Sequence, residues 1–293
     1  MAEEGQVRSA RGGRRPKGLP PLERLIVCDL DNTLLGSDRR LDPELPQLIR
    51  RARERGIGFT LATGRVYASA VKYARRLGLE LPLITNSGAV IAAPSGSVVL
   101  RQLELPRAVT CRLLAETREQ GALRYLHVGG RVYAEYPSPE NERYAAVLEI
   151  PFTYVGDLAQ WFTQAAEPAV ALVVRFTGGD VPAVTAAARL AARESRRFKG
   201  TVSVIRALPY LVEFLHPQAS KGQALRFLAD HLGVPREKIL ALGDSEGDLD
   251  MLTAAGTGIL VRNAPEELHS LADRVTAGAA AEGVKEVLRE LLR

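Results

Sequence analysis

The chain has 293 residues, enough for about two domains of ordinary size, and its 46% hydrophobic and 25% charged content is that of a globular protein, which excludes a wholly disordered or fibrous chain. No apolar run approaches the ~18 residues of a membrane span, so no membrane partner is expected. The net charge of +5 is partly local: Arg8, Arg11, Arg14, Arg15 and Lys17 stand against Glu3 and Glu4 near the start, and little excess is left for the remainder. This Gly/Pro-punctuated stretch reads as a disordered basic tail over residues 1–21 and not as a nucleic-acid arm. Two widely separated cysteines, Cys28 and Cys111, have no metal-like spacing, and no apolar signal stretch is present near Met1. A reducing, cytoplasmic setting without disulfides is expected.

In chain order, the first apolar run is Leu25-Ile26-Val27-Cys28, of strand length, and it breaks into Asp29-Leu30-Asp31-Asn32-Thr33. Asp42-Pro43 opens a helix that runs to Arg55 and stops at Gly56. A second strand over 57–62 ends in Thr63-Gly64-Arg65, a helix follows over 66–77, and a third strand over 81–84 ends in Thr85-Asn86-Ser87-Gly88. Strand, helix, strand, helix, strand is the pattern of a doubly wound parallel sheet.

The pattern changes from 88 to 215, where hairpins at 89–100 and 124–136 and strands at 170–176, 202–206 and 210–215 mix with helices at 107–120, 139–148 and 181–197. This reads as an inserted α+β domain. The parallel pattern then resumes: a helix from Ser220-Lys221-Gly222 to Gly233, and a strand over 238–242 ending in Gly243-Asp244-Ser245-Glu246-Gly247-Asp248. A helix over 249–255, a strand over 258–261, a helix opening at Asn263 and a last helix over 284–292 complete the core. The expected division is a core of 22–87 and 216–293 interrupted by a cap at 88–215.

Strands of a parallel sheet share one direction, so the polar residues at their C-terminal ends converge on one edge. Asp29, Asp31, Thr63, Asn86, Asp244 and Asp248 all fall there. A carboxylate cluster of that density calls for a hard cation, and oxygen ligands suit Mg²⁺. Asp29, Asp31, Asp244 and Asp248 are the metal candidates. Lys221 adds a positive charge, and phosphate is the ligand that cation, ammonium, hydroxyl and amides would draw together. Asp29, on the rigid strand end, is the expected nucleophile, and Asp31 the acid and base. Thr63 and Lys221 stabilise the phosphoryl oxygens, with Gly64, Arg65 and Asn86 as further substrate-binding candidates. Only six lysines stand among 39 basic residues. A lysine at a helix N-terminus, where the dipole disfavours it, therefore fits a compact charge reaching into an anionic site.

The stretches Asp29–Thr33, Ala62–Arg65, Ser220–Gly222 and Gly243–Asp248 resemble, in order and spacing, the four motifs of the haloacid dehalogenase-like phosphatases. With the insert, Asn86–Ala89 and Arg262-Asn263-Ala264, the chain from Leu22 onward resembles their Cof-type subfamily with a large α/β cap. The resemblance implies a Mg²⁺-dependent phosphomonoesterase with a cap that closes over small phosphorylated metabolites, often sugar phosphates. Carried over, it implies a metal held by the Asp29 carboxylate, the Asp31 carbonyl and Asp244. Three positions depart from the family pattern: Asn32 and Ala219 where glycine is frequent, and Gly247 where asparagine is common. A phosphomutase and a weakly catalytic phosphate-binding protein are the alternatives. The four histidines share no metal-like spacing, although His216 falls at the expected hinge.

Overall fold

The computed structural model describes residues 7–9, 21–118, 121–177 and 181–293. The chain divides into two compact units, one built from residues 102–219 together with Val7 and Arg8, and the other from 9–101 and 220–293.

Segments 9–101 and 220–293 form the core unit. First in chain order, β1 (Val7–Ser9), which falls mostly in the other unit, precedes β2 (Arg24–Cys28), α1 (Leu45–Glu54), β3 (Ile57–Leu61), α2 (Tyr67–Arg76), β4 (Leu83–Thr85), β5 (Val90–Ala92) and β6 (Val99–Leu103). Within the insert come α3 (Arg107–Thr117), β7 (Leu123–Val128), β8 (Arg131–Ala134), α4 (Pro139–Leu148), β9 (Phe152–Tyr154), α5 (Leu158–Gln164), β10 (Ala169–Arg175), α6 (Val181–Arg197), β11 (Ser203–Leu208) and β12 (Leu211–Leu215). The core resumes with α7 (Lys221–Leu232), β13 (Ile239–Gly243), α8 (Leu249–Ala254), β14 (Thr257–Leu260), β15 (Arg274–Val275) and α9 (Ala281–Leu291).

The core sheet has the order β15-β14-β13-β2-β3 with every pairing parallel. Its two faces explain the apolar run at 25–28. Ile26 and Cys28 pack with Leu48 and Ile49 of α1, Tyr73 of α2 and Val284 and Leu288 of α9, whereas Leu25 and Val27 pack with Leu225 and Leu228 of α7 and Met251 of α8. A strand covered on both faces needs apolar residues at every position, which is why the run shows no alternation. This is the expected doubly wound α/β architecture.

Beyond β3 a single parallel bridge, Ala62 to Ile84, leads to β4, and the sheet β4-β5-β6-β1, antiparallel between β4 and β5, continues from it. Two expectations change here. The hairpin read as the start of the insert pairs onto β4, so the insert unit begins at Gln102 and not at 88. Most of the expected disordered tail lies outside the described residues, but Val7–Ser9 form a strand beside β6, whose open edge offers backbone partners to a short extended segment.

The insert is an α+β unit with the sheet order β11-β12-β10-β7-β8-β9, antiparallel except where β9 joins β8. Period-2 alternation sends Leu126, Leu172, Val174, Val212 and Phe214 to one face, against Leu113 and Leu114 of α3, Phe162 of α5 and Leu190 of α6. On β7, Tyr125 alternates with Leu126, and its ring packs with Tyr144 of α4 and Phe152 of β9. β9 and α5 were not expected from the sequence. α1 starts at Leu45 and not at Asp42, because the Asp42 carboxylate accepts the Glu44 amide in a turn ahead of the helix. The segment after Asn263 forms a short 3₁₀ turn, Glu266–Leu271, where a helix was expected. Among the described residues, no helix is long and apolar enough to cross a membrane.

Candidate active site

Asp29 follows β2 directly and lies 5% exposed, with its amide donating to Leu242 O of β13 at 2.9 Å. The chain then turns sharply: the Leu34 and Leu35 amides both return to Leu30 O, and Asn32 sits at φ 58°, a left-handed conformation that asparagine tolerates. Thr33, fully buried by this turn, donates its hydroxyl to Asp244 Oδ1 at 2.9 Å. The tip of β2 is thereby tied to the tip of β13.

Two close backbone approaches place Lys221. Gly88, at φ 94°, lies so near Ser220 that an added Cβ would meet its carbonyl oxygen at 2.1 Å. Gly222 donates its amide to Asp250 Oδ2 at 2.9 Å. Ser220 caps α7 by accepting the Gln223 amide. Held in this way, Lys221 is buried and its Nζ lies 2.6 Å from both Asp29 Oδ1 and Asp248 Oδ1.

Asp248 is fully buried, and both of its oxygens are engaged. Oδ1 takes Lys221, while Oδ2 accepts from the amides of Asp244 and Ser245 at 3.1 Å each and from Ser245 Oγ at 2.9 Å. The carboxylates of Asp29, Asp244 and Asp248 offer oxygens that all lie within 4.8 Å of one another. Three carboxylates facing one ammonium leave an excess of negative charge in a buried place. Burial first, then Asp248 and Asp244, pushes the Asp29 carboxyl well above the usual carboxylate range against the pull of Lys221. Burial and Asp248 likewise push Asp244 up to about 6, with the Thr33 hydroxyl opposing. Burial works against the Lys221 ammonium, but Asp248 and Asp29 prevail and hold its pKa above the ordinary value. An all-oxygen donor set with surplus negative charge fits a hard divalent cation.

Asp31 stands apart from this group. Its carboxylate is gripped by the Arg65 fork, Nε to Oδ2 at 2.8 Å and Nη2 to Oδ1 at 2.6 Å. Arg65 is 5% exposed and is itself fixed, by Ser69 Oγ at 3.2 Å and by the face of Tyr73, 5.2 Å from its ring centre. Thr63, buried at the end of β3, accepts the Arg65 amide at its hydroxyl oxygen and keeps its own proton to donate. Gly64 is half-buried between them. Asn86, at φ 50°, donates its amide to Arg65 O, and Ser87 donates to Thr63 O.

The structure therefore brings Asp29, Lys221, Asp244 and Asp248 into direct contact or close proximity, and pairs Asp31 with Arg65 beside them. Sequence reading did not single out Thr33 or Ser245 as site residues, although each hydroxyl lies within a stretch already marked as chemical. His216 accepts the Gln218 amide at Nδ1, a turn contact within the insert unit.

A family model described as haloacid dehalogenase-like hydrolase matches residues 26–288. The chain is 28% identical over 272 residues to the 5-amino-6-(5-phospho-D-ribitylamino)uracil phosphatase YitU of Bacillus subtilis, covering 91% of this chain and 96% of that protein. It is 29% identical over 269 residues to a phosphoglycolate phosphatase of Methanothermobacter thermautotrophicus, covering 92% and 99%. Among solved structures, a haloacid dehalogenase-like hydrolase from Bacteroides thetaiotaomicron superposes with a TM-score of 0.80 at 24% identity, over 92% of this chain and 99% of that one.

Proposed function

The chain belongs to the haloacid dehalogenase-like hydrolases, and from that premise we propose that it is a phosphatase that hydrolyses small phosphate monoesters through Asp29. The observation that carries the reading is Lys221, drawn from the far side of the insert to within 2.6 Å of both Asp29 and Asp248. Relatives named as phosphatases over nearly the whole chain support it.

In this reading an Asp29 oxygen attacks phosphorus and the bond to the ester oxygen breaks, leaving an aspartyl-phosphate. Asp31 gives its proton to the departing oxygen. Water then attacks the same phosphorus as Asp31 takes its proton back, and cleavage of the Asp29–phosphorus bond frees inorganic phosphate. The Arg65 fork holds Asp31 in one orientation for both proton transfers. Thr63 donates its hydroxyl to a phosphoryl oxygen, and Lys221 offsets the charge on Asp29 and on the transferring group. Gly64, Arg65 and Asn86 line the same sheet edge as substrate contacts.

The Asp29 and Asp244 carboxylates and the Asp31 carbonyl would hold Mg²⁺. Asp248, with both oxygens engaged, acts through Lys221 and the loop at 244–245. When bound, the cation neutralises negative charge on the phosphoryl group. The insert is read as the cap that selects the substrate, and sugar phosphates or similar metabolites in the cytoplasm are the expected class.

The test is phosphate release from a panel of phosphorylated metabolites with and without Mg²⁺, alongside Asp29→Asn. Release that needs both the metal and Asp29, with a phosphorylated Asp29 trapped by rapid quench, is the expected result. Isomer interconversion without free phosphate would replace the hydrolase by a mutase, and release undiminished in Asp29→Asn would remove the nucleophile.

A further inference from the structure

The loop that follows Asp29 is fastened at its base on Leu30 O, by Asp31 on Arg65 and by Thr33 on Asp244. A further hold comes from Asn263, which follows β14 on the same edge of the sheet. Its Nδ2 donates to Asn32 O at 2.9 Å, and its Oδ1 accepts the Ala280 amide at 2.7 Å. The two partners fix the amide orientation, since a carbonyl can only accept and an N–H can only donate.

Both backbones that Asn263 grips are unusual. Asn32 is left-handed at φ 58°, and Ala280, the residue before α9, has φ 45° and ψ −127°, a region that residues bearing a Cβ rarely adopt. A solvent-exposed asparagine thus donates in one direction to the apex of the Asp29 loop and accepts in the other from a strained helix start. The carbonyl it holds belongs to the peptide between Asn32 and Thr33. Turning that peptide would swing Thr33 away from Asp244 on one side and shift Asp31 on the other.

We infer that Asn263 is a positioning residue for the reaction: its Nδ2 holds the Asn32–Thr33 peptide in the orientation that keeps Asp31 and Thr33 in place. This rests on the phosphatase reading of the Asp29 loop. The bond to Ala280 is the anchor that keeps Asn263 itself from turning.

Two variants separate the roles. Asn263→Asp keeps an acceptor for the Ala280 amide but has no donor for Asn32 O, while Asn263→Ala loses both bonds. Positioning predicts a similar fall in kcat for both, on the order of 10- to 100-fold, with KM within about threefold. Thermal stability should fall more in Asn263→Ala. Amide hydrogen exchange of a peptide covering 29–36 should quicken in both variants. A kcat for Asn263→Asp within twofold of the wild type would overturn the inference and leave Asn263 with a purely structural role. If the wild-type protein releases phosphate from no substrate, the phosphatase reading fails on its own, and exchange decides the remainder: quickening over 29–36 in Asn263→Asp upholds the hold on the loop, and unchanged exchange overturns it.

Discussion

At the scale of single residues, the pair between Arg65 and Asp31 shows what a side chain's identity adds beyond its charge. The guanidinium presents two parallel donors to the two oxygens of Asp31 while Ser69 and Tyr73 hold it from behind. A lysine would keep the positive charge but bind as a point, leaving the carboxylate to rotate. Arg65→Lys should therefore fold normally and lose about 10- to 100-fold in kcat, the range expected when a reacting group is misplaced by about an ångström. Steady-state kinetics on the best substrate of the panel, with the melting temperature as a control on folding, checks this. An unchanged kcat would mean that Asp31 is oriented by the loop alone.

At the scale of elements, β7 carries a prediction of its own. His127 lies between Val132 of β8 and Ala171 of β10 and is 6% exposed, and burial lowers its pKa to about 4 from the ordinary 6.5. Above pH 6.5 both folded and unfolded chains hold it neutral, and it contributes no pH dependence. As the pH falls from 6.5 towards 4 the unfolded chain binds a proton that the folded one does not, so stability is lost across that window, by up to about 3 kcal/mol in full. Denaturation of the wild type and His127→Gln at pH 7.5 and 4.5 should show a smaller acid loss in the variant; equal losses would assign the acid sensitivity to other groups. Elements were legible in the sequence where burial on two sides or a capping residue wrote a pattern. β2 and β13 are unbroken apolar runs that end in carboxylates, and α4 and α7 open on Ser138 and Ser220, each of which accepts an amide of its first turn. β9 and α5 were missed because each is too short to show a period, at three and seven residues. The hairpin of β5 and β6 was placed in the wrong unit because pairing partners are not written in a strand's own residues. In the same way, four short motifs marked which residues gather at the sheet edge, but not that Asp31 turns to Arg65 or that Asn263 reaches Asn32.

At the scale of the whole molecule, the chain leaves the core at the end of β6 and returns at Ser220, so residues 29 and 221 meet across 192 positions of sequence. Neither of the flanking segments holds a site alone. The first supplies Asp29, Asp31, Thr63 and Arg65, and the second supplies Lys221, Asp244 and Asp248. A ligand that binds this edge must therefore stabilise both at once, since it binds the folded core and not the unfolded chain. Mg²⁺ together with an unreactive phosphate analogue, at a hundredfold over its dissociation constant, should add about 2.7 kcal/mol to the stability of the core. Amides that exchange only through unfolding of that core should slow about a hundredfold. Followed by hydrogen exchange, protection should appear together in peptides covering 28–35, 62–65, 220–223 and 243–248, and should disappear together in Asp244→Asn if that carboxylate is needed to hold the cation. Protection confined to one of the flanking segments would mean that the ligand sits elsewhere, and that the 2.6 Å contacts of Lys221 serve the fold and not the reaction.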